Sequence, residues 1–222
     1  MEIKQIIFDF DGTLTDTAPV ILATMAATIK ELGLPARTEE QCRATIGMRL
    51  EDIAEKLYPD IPGIAALCVE TYQRTFKQEN KPGIAKPFPG VTDTLRLLHS
   101  LGYPMAVASS RNRESLQEFI DGFGWSAWFR MVIGGDDVVE AKPAPEPVLA
   151  ICGKMGWQPA DTLVVGDATY DILMGNNAGA QTCAVTYGNQ SRDRLLTASP
   201  RFIIDRFSDL TAIIRQVNGK IS

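Results

Sequence analysis

Residues 8 to 17 read Phe-Asp-Phe-Asp-Gly-Thr-Leu-Thr-Asp-Thr and place two carboxylates, Asp9 and Asp11, two positions apart just after the apolar run Ile6-Ile7-Phe8. The run has the length and composition of a buried strand. On an extended chain residues i and i+2 point the same way, so both acids are expected to face one site at the strand's carboxyl end. Gly12 then permits a sharp turn and a close backbone approach to a ligand. A nucleophile beside a proton donor suits this spelling. So does an ordinary acidic turn after a strand, and the rest of the chain has to separate the two.

Downstream of this stretch the pattern is helical for some seventy residues. Ala18 to Leu32 has helical spacing with Pro19 in its first turn and Gly33 closing it. Thr38 followed by Gln41 spells a capping box, with Gly47 as the expected end of that helix. Arg49 to Leu57 and Ile64 to Gln78 continue the series, so residues 16 to 86 are expected to form a small helical bundle with its hinge. Asn80 to Gly90, rich in Pro and Gly, reads as a linker. Beyond it helices and strands alternate: helix 91–101, strand 104–108, helix 113–123, strand 131–133, helix 146–155, strand 162–165, helix 171–178, strand 182–185, strand 202–204 and a closing helix from Ser208. Such alternation implies a parallel sheet covered on both faces, and Leu163-Val164-Val165 is apolar enough to be buried on both sides. The expectation is an α/β protein with a Rossmann-like parallel-sheet core, residues 1–15 and 87–222, and a helical domain, 16–86, inserted into it.

The 222 residues suffice for one good core with an insertion. Apolar residues make up 45% and charged residues 22%, and the net charge of −5 is spread along the chain in both signs. Nothing in that balance offers a broad surface for nucleic acid or an anionic membrane, so substrate charge has to be handled locally. No run approaches the roughly 20 apolar residues of a membrane span, and the first residues enter a strand without a signal pattern, so a cytoplasmic location is expected. Cys42, Cys68, Cys152 and Cys183 lie far apart among apolar residues and read as buried free thiols. Oligomeric state has no sequence signature here.

In open α/β sheets ligands sit at the carboxyl ends of the strands. Asp9 and Asp11 end the first strand, Ser109 and Ser110 follow the second, Lys142 stands in Ala-Lys-Pro-Ala-Pro before a helix, and Asp167 follows Leu163-Val164-Val165-Gly166 with Asp171 four residues on. Each has an ordinary alternative: a helix cap for the serines and for Asp167 and Asp171, an exposed lysine for Lys142. His99 reads as a partly exposed helix residue and Asp136-Asp137 as a solvated turn. Taken together, the set suits phosphoryl chemistry, with acids to hold a divalent cation and a hydroxyl and an ammonium for phosphate oxygens.

In these motifs the chain resembles the phosphatases of the haloacid dehalogenase superfamily over nearly its whole length. Asp-Phe-Asp-Gly-Thr-Leu-Thr-Asp at 9 to 16 matches the first motif, Ser109 the second, Lys142 before Pro143 the third and Gly-Asp-Ala-Thr-Tyr-Asp at 166 to 171 the fourth. The inserted helices match an alpha-helical cap of the C1 type. The resemblance is to phosphoglycolate phosphatase and the bacterial pyrophosphatases around it. It implies that Asp9 attacks phosphorus and forms an aspartyl-phosphate, while Asp11, protonated at the start, serves the leaving oxygen and then the water. It implies Mg²⁺ held by Asp9, the backbone carbonyl of Asp11 and Asp167, with Asp171 as ligand or support. Ser109 and Lys142 are implied to grip the phosphoryl group, with Ser110 beside them, and Arg49 in the cap to contact the substrate's anionic leaving group. The implied substrate is a small phosphorylated metabolite.

Asp11 argues against a dehalogenase or phosphonatase, whose first motif lacks this acid. A sugar phosphomutase of the beta-phosphoglucomutase kind and an inorganic pyrophosphatase stay open. A signalling receiver domain shares the Asp, Ser and Lys chemistry but is about half this length and lacks the inserted bundle. A catalytically idle binding protein on the same scaffold would not need every matched position intact.

Overall fold

The computed structural model describes residues 2–80 and 83–219, and Lys81 and Pro82 of the expected linker lie outside them. The apolar run forms β1 (Gln5–Phe8), buried along its whole length. The chain then turns through Gly12 into a two-residue strand, β2 (Thr15–Asp16), and four helices follow: α1 (Ala18–Glu31), α2 (Glu39–Arg43), α3 (Leu50–Leu57) and α4 (Ile64–Glu79). A second two-residue strand, β3 (Lys86–Pro87), pairs antiparallel with β2, so the excursion leaves and returns through adjacent strands. The remaining elements are α5 (Val91–Ser100), β4 (Met105–Ala108), α6 (Arg113–Gly122), β5 (Phe129–Ile133), α7 (Glu146–Met155), β6 (Thr162–Gly166), α8 (Thr169–Asn177), β7 (Gln181–Val185), α9 (Arg192–Leu196), β8 (Phe202–Ile204) and α10 (Leu210–Asn218).

Six parallel strands lie in the order β5-β4-β1-β6-β7-β8. The chain builds outward from β1 through β4 to β5, then returns to the other side of β1 through β6, β7 and β8. The order therefore reverses at β1, and an open sheet forms its ligand crevice beside such a reversal. Alternate residues of the central strand serve opposite faces, as a period of two requires. Ile6 and Phe8 pack with Leu95 and Leu98 of α5, Leu116 and Ile120 of α6 and Leu210 and Ile214 of α10. Ile7 packs with Val148 and Ile151 of α7 and Met174 of α8. The inserted helices have their own apolar centre, built from Ile21, Met25, Cys42, Ile46 and Ile53.

The structure departs from the sequence reading in a few places. Part of the expected linker is strand, because Lys86 and Pro87 find partners in Asp16 and Thr15. The capping box at Thr38 and Gln41 forms, but α2 ends at Arg43, and residues 44–48 turn through Thr45, Ile46 and Gly47. α9, absent from the reading, is capped by Ser191, whose hydroxyl accepts from the Arg194 N–H. Cys42, Cys152 and Cys183 are buried free thiols, whereas Cys68 is only half-buried on α4. Among the described residues no helix is long and apolar enough to cross a membrane.

Phe8 is fully buried, with its ring 5.6 Å from that of Phe207 and 6.4 Å from that of Phe129. Phe8→Ala should cost about 3–5 kcal/mol in urea unfolding, whereas His99→Ala on an exposed helix position should stay within about 0.5 kcal/mol. Equal losses would contradict this placement of the core.

Candidate active site

The ladder of β1 continues one step past its end, since the Asp9 N–H donates to the Val165 carbonyl at 2.9 Å. That bond fixes Asp9 at the sheet's carboxyl edge. Phe10 turns into the core beside Phe119, which leaves Asp9 and Asp11 on the opposite side, as the i, i+2 spacing requires. Gly12 follows at φ +93°, and an added methyl there would overlap both Asn189 Nδ2 and Asp167 Oδ2. Only glycine brings this turn so close to the acids.

Three buried carboxylates converge. Asp167 follows β6, Asp171 lies in the first turn of α8, and one oxygen from each of Asp9, Asp167 and Asp171 lies within 4.8 Å of the others. Lys142, also buried, donates at 2.6 Å to Asp9 Oδ1 and at 2.6 Å to Asp171 Oδ1. Thr13 Oγ1 lies 3.1 Å from Asp9 Oδ2 and 3.2 Å from Asp167 Oδ1. Asp167 Oδ2 accepts from the Asn189 backbone N–H at 2.7 Å and from Asn189 Nδ2 at 3.0 Å, and Asp171 Oδ2 accepts from the Ala168 N–H at 3.1 Å.

Burial, with the charge of Asp171, Lys142 opposing and Asp167 adding, pushes the Asp9 carboxyl well above its ordinary range. Burial and Asp171 push Asp167 up to about 7 despite the hydrogen bonds from Asn189 and Thr13. Burial works against the Lys142 ammonium, but Asp171 and Asp9 outweigh it and raise its pKa. Three carboxylates facing one ammonium leave two negative charges uncompensated, which is the charge of one divalent cation. All the donors are oxygens, the set that hard cations such as Mg²⁺ select. The cluster fits a divalent metal, with Asp9, Asp167 and Asp171 as the carboxylates able to hold it.

Asp11 stands beside the cluster rather than in it. Its carboxylate accepts from Thr17 Oγ1 at 2.6 Å and from Arg111 Nη2 at 2.7 Å and Nε at 3.1 Å. Arg111 Nη1 donates to Ser115 Oγ, and its guanidinium lies 4.9 Å from the ring centres of both Phe76 and Phe119. The guanidinium meets both Asp11 oxygens as a fork, so two parallel hydrogen bonds hold the side chain at the edge of the cluster. Ser109 is buried after β4, and its Oγ accepts from the Arg111 N–H at 3.2 Å.

Ser110 and Arg49 lie at the cleft, where the sequence placed them, but the Ser110 hydroxyl and both terminal nitrogens of Arg49 are engaged elsewhere, while Arg49 Nε has no partner among the described residues. Ser110 Oγ donates to the Gly47 carbonyl at 2.6 Å, and Arg49 Nη1 and Nη2 donate to the carbonyls of Val139 at 2.9 Å and Val138 at 2.6 Å. In this structure both residues tie the inserted helices to the sheet domain. These donors, assigned to a substrate anion, meet backbone oxygens that lie 63 residues away for Ser110 and 89 and 90 residues away for Arg49.

Arg111, Thr13, Thr17 and Asn189 are the participants that the sequence reading did not assign. Arg111 carried one usable signal, a basic residue right after the serines that end an apolar strand. Asn189 carried none, since it reaches Asp167 from a loop beyond β7.

The family model of haloacid dehalogenase-like hydrolases matches residues 6–185. A probable phosphatase, IndB, of Dickeya dadantii is 35% identical over 210 residues, covering 92% of this chain and 90% of its own. The pyrophosphatase PpaX of Anoxybacillus flavithermus is 32% identical, covering 96% and 98%. The crystal structure of a predicted phosphoglycolate phosphatase from Haemophilus somnus superposes with a TM-score of 0.85 at 27% identity, covering 96% of this chain and 98% of that one. The chain belongs to the haloacid dehalogenase-like hydrolases, and within them it is a phosphatase.

With a folded-state pKa near 7 against about 3.8 unfolded, Asp167 stabilises the metal-free protein at acid pH, and this contribution is lost as pH rises through 7. Asp167→Asn should therefore gain stability relative to the wild type between pH 5 and pH 8, on the order of 2–4 kcal/mol, in denaturant titrations with chelator present. A difference that does not change with pH would contradict the assigned environment.

Proposed function

We propose that the protein is a Mg²⁺-dependent phosphatase that hydrolyses small phosphorylated metabolites through an aspartyl-phosphate on Asp9, with residues 16–86 serving as a cap over the core of 1–15 and 87–222. The observation that carries this reading is Asp9 itself. It is buried in an acid cluster, bonded to Lys142 through one oxygen and to Thr13 through the other, at the inner end of a cleft that also reaches Asp11 and Ser109.

Asp9 attacks phosphorus: an Asp9 oxygen–phosphorus bond forms and the bond from phosphorus to the alcohol oxygen breaks. Asp11 supplies the proton that the departing oxygen needs, and as a carboxylate then takes one from the water that attacks the acyl phosphate. Inorganic phosphate leaves and Asp9 is restored. Ser109 and Lys142 hold the phosphoryl oxygens, and Lys142 offsets repulsion between Asp9 and the incoming dianion. Bound Mg²⁺, held by Asp9, Asp167, the Asp11 carbonyl and Asp171, supplies further positive charge at the phosphoryl group. Arg111 fixes Asp11 in position through two parallel hydrogen bonds.

Asp9→Asn preserves shape but removes the nucleophile. Phosphate release from p-nitrophenyl phosphate should fall at least about a thousandfold, roughly 4 kcal/mol of barrier, with the circular dichroism spectrum unchanged. More than a tenth of wild-type activity in this variant would overturn the assignment. Activity should also vanish in excess EDTA and return with Mg²⁺, and full turnover under chelation would remove the metal from the account.

A further inference from the structure

The phosphatase reading leaves open which alcohol is released, and the cleft between the inserted helices and the sheet domain narrows that choice. The two parts touch in this structure through Ser110 and Gly47, through Arg49 and the carbonyls of Val138 and Val139, and through Lys56 Nζ, 3.2 Å from the Tyr170 hydroxyl. With these contacts made, a cleft of about 600 Å³ remains, running outward from Asp9 and Asp11. Small-molecule sites span about 300–1,000 Å³. Taking a water's share of about 30 Å³ as a yardstick, a two-carbon hydroxy acid with its phosphoryl group fills only roughly 200 Å³ of such a space.

The wall that faces the reacting group from the inserted helices is apolar. It is made by Ile21, Ile46, Ile53, Tyr72 and Phe76, with the last two rings stacked at 6.0 Å and 20°. Such rings offer a broad face to an apolar or planar group.

Charge narrows the choice further. Arg111 lies deepest among the cations that line the cleft, and its charge is answered by Asp11. Both terminal nitrogens of Arg49 already donate to carbonyls. Outside these two, among the described residues, Glu51, Glu114, Glu118 and Asp136 line the exposed part against Lys77 alone. A carboxylate or second phosphate on the alcohol would meet this acidic rim without a free guanidinium to receive it, and discrimination of this kind works by repulsion.

We infer that the substrate's alcohol half is bulky, lays an apolar or planar face against the helices, and carries no second negative charge. This rests on the phosphatase reading, and the test separates the two. Full-length protein with Mg²⁺ is assayed for phosphate release from benzyl phosphate, 4-carboxybenzyl phosphate, ethyl phosphate and phosphoglycolate. kcat/KM for benzyl phosphate should exceed that for each of the other three by roughly tenfold or more, the range that pocket contacts of this size provide. A carboxylated ester turned over as fast as benzyl phosphate or faster would overturn the inference and leave the phosphatase standing. Release from none of the four would overturn both. Glu118→Lys, at the rim, should shrink the ratio of benzyl to 4-carboxybenzyl phosphate at least about threefold by exchanging a repelling charge for an attracting one. An unchanged ratio would overturn the part assigned to charge.

Discussion

One ammonium holds the site together. Lys142 reaches from the loop before α7 to Asp9 at the end of β1 and to Asp171 in the first turn of α8, with both partners almost wholly withdrawn from solvent. Removing one member of a buried pair typically costs 3–5 kcal/mol, because the remaining charge is left unpaired. Here the bridge also decides how close two like charges can sit. Without it, Asp9 and Asp171 would repel across the space that a phosphoryl group and a cation have to share. The sheet supplies the rest of the constraint, since parallel strands beside β1 end level with it and bring Ser109 and Asp167 to the same edge.

The inserted helices complete the site without distorting that edge. They leave and rejoin the core through the paired strands β2 and β3, so both crossings lie side by side and the sheet needs no long connection. Gly47, at φ +99°, forms the turn whose carbonyl receives Ser110, and the same turn leads to Arg49 at the start of α3. The contacts made by Gly47 and Arg49 thus come from one short segment over the catalytic edge, and Lys56 of α3 and Phe76 of α4 add others. The cleft that reaches Asp9 is lined by that segment, the rings of Tyr72 and Phe76, and the guanidinium of Arg111.

Much of this is legible in the chain itself, for reasons particular residues show. Asp9, Asp11 and Asp167 are readable because each lies at or just past an apolar strand, where period and composition fix the element, and Asp171 because it falls in the first turn of the helix that follows. A helix start is readable from a cap such as Thr38, whose side chain accepts the expected Gln41 N–H, whereas the cap of α6 is Asn112 and neither of the serines before it. What escapes is whatever depends on a partner distant in sequence. Arg111 and Asp11 are a hundred residues apart, and Arg49 meets its carbonyl partners across some ninety. No local pattern distinguishes a guanidinium that will clamp a carboxylate or a backbone loop from one left free for a substrate. β2 and β3 escape for a different reason: two residues carry too little periodicity to register as a strand, and only their mutual pairing defines them.

The account turns on Asp9 forming a covalent bond to phosphorus, and trapping that bond tests it most directly. Enzyme at high concentration is mixed with substrate in the presence of Mg²⁺, quenched in acid within milliseconds, digested and examined by mass spectrometry. The account predicts a phosphoryl group on the peptide that contains Asp9, rising before phosphate appears and falling as it is released. A complete single turnover with no phosphoryl group on the protein, or with one on another residue, would contradict it.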